Sequence, residues 1–310
     1  MVSQRSEAQT AKVQGRYFGR HVVLTTKHEK ARALQLPLQA GLGVVLNSVE
    51  VDTDRLGTFT GESERQGSPL ETAVKKARLG MRHAGAKLGL ANEGSFGPHP
   101  YVPFLVGCHE VIAFVDDDLG IEIAESIVSA NTNYAHIDTR SKEELDEFLA
   151  RVKFPSHGLI VRPNKINRNI FRRVSGAFKG KFQSSEIQKG IRDRDALAAA
   201  ISKCEALSDD GLAHIETDMR AHMNPTRLRV LRILGIKLAR RLRSTCPECE
   251  CPGFGITGVK GSLPCEECGC PSESYAFEIF KCSRCDLEQT HPRKDGKTKV
   301  HAMYCQHCNP

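Results

Sequence analysis

Cysteine and glutamate are the residues whose type and spacing carry chemistry in this chain. Ten of its twelve cysteines fall between Cys246 and Cys308, and eight of them form four Cys-x-x-Cys pairs. The pairs are Cys246/Cys249, Cys265/Cys268, Cys282/Cys285 and Cys305/Cys308. Such a pair presents two thiolates from one tight turn, and Zn²⁺ takes four thiolates tetrahedrally. The gaps between successive pairs are 15, 13 and 19 residues. Taken in order, pairs one and two, then three and four, give two zinc ribbons at structural spacing. Interleaving, first with third and second with fourth, satisfies the same ligand count. Two structural Zn²⁺ are expected. Four-thiolate sites are closed, so they are assigned no catalysis. Cys251 and Cys270 stand outside the pairs, and Cys108 and Cys204 read as small buried hydrophobes.

A second constellation is sparser. Glu93 follows the apolar run 88–91, and Gly94, Ser95, Gly97, Pro98 and Pro100 come next, a composition that predicts a rigid turn at a strand end. Glu71 lies three residues past Ser68, with Pro69 between them. Thr25, Lys27 and Lys30 follow a strand-like run, and Lys76 lies on the helix that Glu71 opens. Two carboxylates holding Mg²⁺, with lysines for the phosphates, describe a nucleotide site. The structural alternative is a capping box for Glu71 and a solvated helix lysine for Lys76. No P-loop, no GxGxxG after a strand and no HExxH occurs.

Charge adds a partner class. The net charge is +7. No acid occurs in 155–185, which holds Arg162, Lys165, Arg168, Arg172, Arg173, Lys179 and Lys181, or in 219–246, which holds seven Arg and one Lys. Both intervals suit phosphate-bearing partners, the alternative being a solvated cationic surface. The first residues are polar and no apolar run is of membrane-spanning length. A cytoplasmic protein with no membrane partner is expected.

These residues need elements to hold them. Runs 21–26, 43–51 and 88–91 read as strands, and a hairpin turns at Asp118-Leu119-Gly120. Helices are predicted over 68–84, 141–152, 195–206 and 226–243, the last with Leu228, Leu231, Leu234, Leu238 and Leu242 on one face. The order implies an α/β protein: a mixed, twisted sheet flanked by helices, with a small C-terminal double zinc-ribbon domain. Domains are expected at 1–18 (a disordered tail), 19–244 (the α/β body) and 245–310 (the ribbons).

The order of motifs over about 20–165 resembles the inosine triphosphate pyrophosphatase superfamily, which includes Maf-like proteins. Thr25, Lys27 and Lys30 stand in its T-x-N-x-x-K motif, with Lys27 for Asn. Thr58-Phe59, Glu71-Thr72-Ala73 with Lys76-Ala77, and Asn92-Glu93-Gly94-Ser95 follow in the family's order. "FPSHGLI" takes the place of a later segment, with His157 for Asp. The whole chain also resembles a family with no assigned activity that shares "EGSFGPHP", "ETDMRAHMNPTR" and the cysteine tail. The first resemblance implies hydrolysis of a nucleoside triphosphate to the monophosphate and pyrophosphate. It implies Glu71 and Glu93 as Mg²⁺ ligands and Glu93 as base. Lys27, Lys30 and Lys76 would meet phosphates together with Thr25 and Ser95. His157, Arg162, Asp218, Arg220, Asn224 and Arg227 would serve as base and ribose contacts. The ribbons would bind a nucleic-acid or protein partner. A nucleic-acid-binding or RNA-processing protein, or a silent nucleotide-binding scaffold, are the alternatives.

Overall fold

The computed structural model describes residues 15–27, 29–52, 67–164 and 184–310. Thr58-Phe59 and the cations 165–181 of the first acid-free interval lie outside the described residues.

The first sheet holds β1 (His21–Thr25), β2 (Val45–Val49), β3 (Leu88–His99), β4 (Val102–Asp116) and β5 (Ile121–Ser129). Their order is β2-β1-β3-β4-β5. β1 runs parallel to both neighbours, and β3, β4 and β5 are antiparallel, so the sheet is mixed. Helix α1 (Ala31–Leu42) links β1 to β2, and α2 (Pro69–Ala84) leads into β3.

Alternation along β3 assigns the faces. Leu88 and Leu90, with Ile112 and Phe114 of β4, join a core with Leu34 and Leu38 of α1. Leu231, Leu234 and Leu238 of α5 (Pro225–Arg243) complete it. Ala91 and Val115 turn the other way, against Ala77 and Met81 of α2. Helix α2 starts where sequence predicts. Ser68 Oγ accepts from Glu71 N, Glu71 Oε2 accepts from Ser68 N, and Gly85 ends the helix in the left-handed region.

A second, antiparallel sheet was not expected. It has the order β6-β9-β7-β8, from β6 (His136–Asp138), β7 (Leu159–Pro163), β8 (Gln188–Ile191) and β9 (Ala213–Thr217). Helices α3 (Lys142–Arg151) and α4 (Arg194–Leu207) close its core around Phe148, Leu159, Leu197 and Ile215. All four of its strands have five residues or fewer, and only the run 158–163 reads as a strand in the sequence.

Two further expectations change. The tail does not extend to residue 18. Tyr17 is buried, packs edge-on against Phe114 and donates its hydroxyl to Asp116 Oδ2 (3.1 Å), because an aromatic ring with one polar atom can cover a sheet end. The predicted turn at Glu93–Pro98 is instead continuous strand, and β3 turns into β4 at Pro100-Tyr101.

The C-terminal module has a three-stranded sheet, β10 (Gly255–Lys260), β11 (Phe277–Lys281) and β12 (Glu288–Pro292). Cys246, Cys251 and Phe254 enter the core of the first sheet, so the boundary at 245 divides the sequence but not the packing. Among the described residues no helix is long and apolar enough to cross a membrane.

Candidate functional site

The chain leaves β1 for β2 on one side of it, then returns through α2 to β3 on the other. That reversal is a topological switch point at the carboxyl end of β1, the usual ligand position in an open α/β sheet. β1 ends beside Leu90, and β3 continues for most of its length past that point.

Thr25, Lys30, Lys76 and Glu93 meet there. On the α2 side, Lys76 Nζ pairs with Glu93 Oε1 at 2.5 Å, and both side chains are largely buried. Ser95, two residues on, shares that face by alternation. Thr25 lies against Gly80, one turn beyond Lys76. On the α1/α5 side, Lys30 Nζ donates to the Asn92 carbonyl (3.1 Å), and Asn92 Nδ2 donates to Glu110 Oε2 (2.8 Å). Arg227 Nε donates to Glu110 Oε1 (2.6 Å), and its guanidinium covers the Phe96 ring at 5.2 Å. Gly94 is required between them: a Cβ there would lie 2.6–2.7 Å from Arg227 and Glu110.

The electrostatics favour an anion. Three cations, Lys30, Lys76 and Arg227, face two carboxylates, Glu93 and Glu110. Burial pushes the Lys30 ammonium down to about 8, Arg227 and Lys76 push the same way, and Glu93 and Glu110 oppose them. Among the described residues, the buried atoms Thr25 Oγ1 and Asn92 Oδ1 have no hydrogen-bond partner. The N-terminus of α1 opens at Lys30 with no side-chain cap and no acid in its first turn. Glu29, just before it, holds φ +51, a left-handed value that costs a residue carrying a side chain. Lys27 pairs with Asp52 (3.1 Å) beside a cleft of about 580 Å³ lined by Asp52, Leu79, Arg82 and His83.

The two-carboxylate Mg²⁺ site is not assembled. Glu71 is exposed and its carboxylate caps α2, with the Ser68 hydrogen bonds holding it below the usual carboxylate range. Five residues, about 7.5 Å of helix rise, separate it from Lys76. Glu93 is taken by Lys76 and Glu110 by Arg227. Among the described residues, groups of three or more convergent metal donors occur only as cysteines. This donor set does not fit Mg²⁺.

The remaining candidates gather at the seam between the sheets. Thr226 N donates to His157 Nε2 (3.2 Å), so the ring proton sits on Nδ1 against Ser156 Oγ. That hydroxyl donates to the Lys153 carbonyl. Burial, then Lys153, hold His157 below its ordinary value. Asp218 is wholly buried and grips Arg220 through Nε and Nη2. Asn224 caps α5 by accepting from Arg227 N. Arg162 faces Glu216 at 3.8 Å. Glu110 and Asn92 escaped the sequence reading. Glu110 had a signal, an acid inside the apolar run 105–115.

The cysteines form two interleaved groups, Cys246/Cys249/Cys282/Cys285 and Cys265/Cys268/Cys305/Cys308. The in-order pairing is therefore corrected. Sheet register is the reason: Gly255, just past the first pair, lies opposite Lys281, just before the third, and Cys265 bridges to Val300. Cys246–Cys285 and Cys249–Cys282 sulfurs are 3.7 and 3.5 Å apart, and Cys265–Cys308 and Cys268–Cys305 are 3.9 and 3.6 Å apart. A tetrahedron with metal–sulfur bonds of about 2.3 Å has edges of about 3.8 Å, so each group could hold a zinc ion.

A family model described as a domain of unknown function (DUF6671) matches residues 76–310. The match begins at Lys76 and takes in Glu93, Glu110, Arg227 and both cysteine groups. No curated protein matches the chain.

Proposed function

The chain belongs to the family described as a domain of unknown function (DUF6671), and we propose that it hydrolyses nucleoside triphosphates to the monophosphate and pyrophosphate at the carboxyl end of β1. The observation that carries this reading is the Lys76–Glu93 pair at the switch point, beside Lys30 and the uncapped start of α1. The motif order of the sequence supplies the substrate class.

In this reading Lys30, Lys76 and the first N–H groups of α1 hold the phosphates. Thr25 Oγ1 and Ser95 donate to their oxygens. Glu93, paired with Lys76, accepts a proton from water. The water oxygen attacks the α-phosphorus, the bond to the α–β bridging oxygen breaks, and pyrophosphate leaves with the electron pair. Arg227 and Glu110 support the wall behind Lys30. The four-cysteine groups each hold one Zn²⁺ as a structural clamp.

The experiment is a pyrophosphate-release screen over standard and damaged nucleoside triphosphates, with wild type and Glu93→Gln. We expect turnover by wild type and a loss on the order of 10² or more in the variant. Full activity in Glu93→Gln, or no release from any triphosphate, overturns the proposal.

A further inference from the structure

Helix α5 carries the second acid-free interval, and its outer face is separate from that site. At 3.6 residues per turn, Arg229, Arg232, Ile233, Ile236, Arg240 and Arg243 fall within about 100° of the helix circumference. All six are exposed. None of the four arginines forms an ion pair among the described residues. Lys237, at the margin, is engaged by Glu125 and the Ser126 carbonyl.

Among the described residues, the neighbouring helix does not neutralise them. α1 packs beside α5 and contains no acid, and its exposed residues are Arg32, Gln35, Leu36, Gln39 and Ala40. Arg32 is paired with Glu29. Among the described residues, the two-helix layer thus presents four guanidinium groups without an ion pair over about 21 Å of helix.

We propose that this face binds double-stranded nucleic acid through its phosphates, a role independent of the hydrolase reading. The arginines come as two pairs, and their inner members, Arg232 and Arg240, are about 12 Å apart along the axis. That separation is close to the roughly 12 Å width of a B-form major groove, so each pair meets one strand. Ile233 and Ile236 lie between, over the groove. The layer exposes no aromatic ring on which unstacked bases could rest, which disfavours a single strand. With no hydrogen-bonding side chain in the centre of the stripe, the contact is independent of sequence.

The test uses the full, zinc-loaded chain and a fluorescein-labelled 20-base-pair mixed-sequence DNA duplex, with its single strand and an RNA duplex beside it. Anisotropy titrations run from 50 to 200 mM KCl. We expect duplex DNA to bind best, with affinity falling steeply as salt rises. Changing all four arginines to glutamine lowers the slope of log K against log salt by about 3–4. Arg229→Gln/Arg232→Gln and Arg240→Gln/Arg243→Gln each remove about half, and replacement by lysine preserves it. These side chains are exposed, so the melting temperature stays within a degree or two. No binding at 50 mM KCl, an unchanged slope in the glutamine variants, or preference for the single strand overturns the proposal.

Discussion

Replacing Arg227 by methionine removes the guanidinium but keeps much of its apolar stem. Glu110 then sits fully buried with Asn92 Nδ2 as its remaining neighbour in the network. Breaking a buried ion pair from one side costs about 3–5 kcal/mol. The Met219 carbonyl also loses its donor, Arg227 Nη1 at 2.6 Å, at a cost of about 1 kcal/mol. A loss of about 4–6 kcal/mol follows. With an unfolding entropy near 2.1 cal/mol/K per residue, that lowers the melting temperature by about 6–9 °C. Glu110→Gln/Arg227→Met removes both charges and should recover on the order of 2 kcal/mol relative to the sum of the single changes. Urea denaturation of the zinc-saturated chain, followed by circular dichroism, measures all four corners of the cycle. An Arg227→Met protein within about 1 kcal/mol of wild type, or a double variant no better than additive, would refute the view that this pair ties α5 to the first sheet.

Other expectations follow from the same structure. Metal analysis should give about two Zn²⁺ per chain, and Cys249→Ser/Cys285→Ser should lose one of them, because both residues serve the same group; loss of both ions would restore the in-order pairing. Lys30 has a folded value of about 8 against 10.5 for the free group. The unfolded chain therefore binds more protons between those values, and stability should rise with pH across that window by on the order of 3 kcal/mol. Lys30→Met should flatten that rise in the difference between the two proteins' stability–pH curves, and identical curves would count against a buried ammonium.

How much of this could be read in advance varied with length and with locality. Helix α2 was legible because Ser68, Pro69, Glu71 and Gly85 act within their own turns. The hairpin between β4 and β5 was legible from its short turn and its flanking apolar runs. The strand through Gly94 was not, since glycine there answers a distant pair: room for Arg227 against Glu110. In the second sheet only the run 158–163 was legible as a strand; its partners were hidden in runs of three to five residues. Glu71 and Glu93 looked like partners by spacing, but one carboxylate was already used by its own helix. The cysteines declared their number and purpose, while their pairing depended on which strands become neighbours.

Interleaving also sets an order of events during synthesis. Cys246, Cys249, Cys265 and Cys268 are made first, and together they are a complete four-thiolate set. Cys285 follows 17 residues after Cys268, a delay of roughly 1–3 s at 5–20 residues per second. During that interval the growing chain offers zinc a set of ligands that the native module never uses together. Capture there would join pairs one and two, and the native groups would then have to form by exchange of ligands between them. Zinc supplied during synthesis should therefore populate a slow, mispaired state, whereas zinc added to the finished chain, which holds all eight cysteines of the two groups, avoids it. The arrangement that locks the folded module makes its assembly a matter of timing.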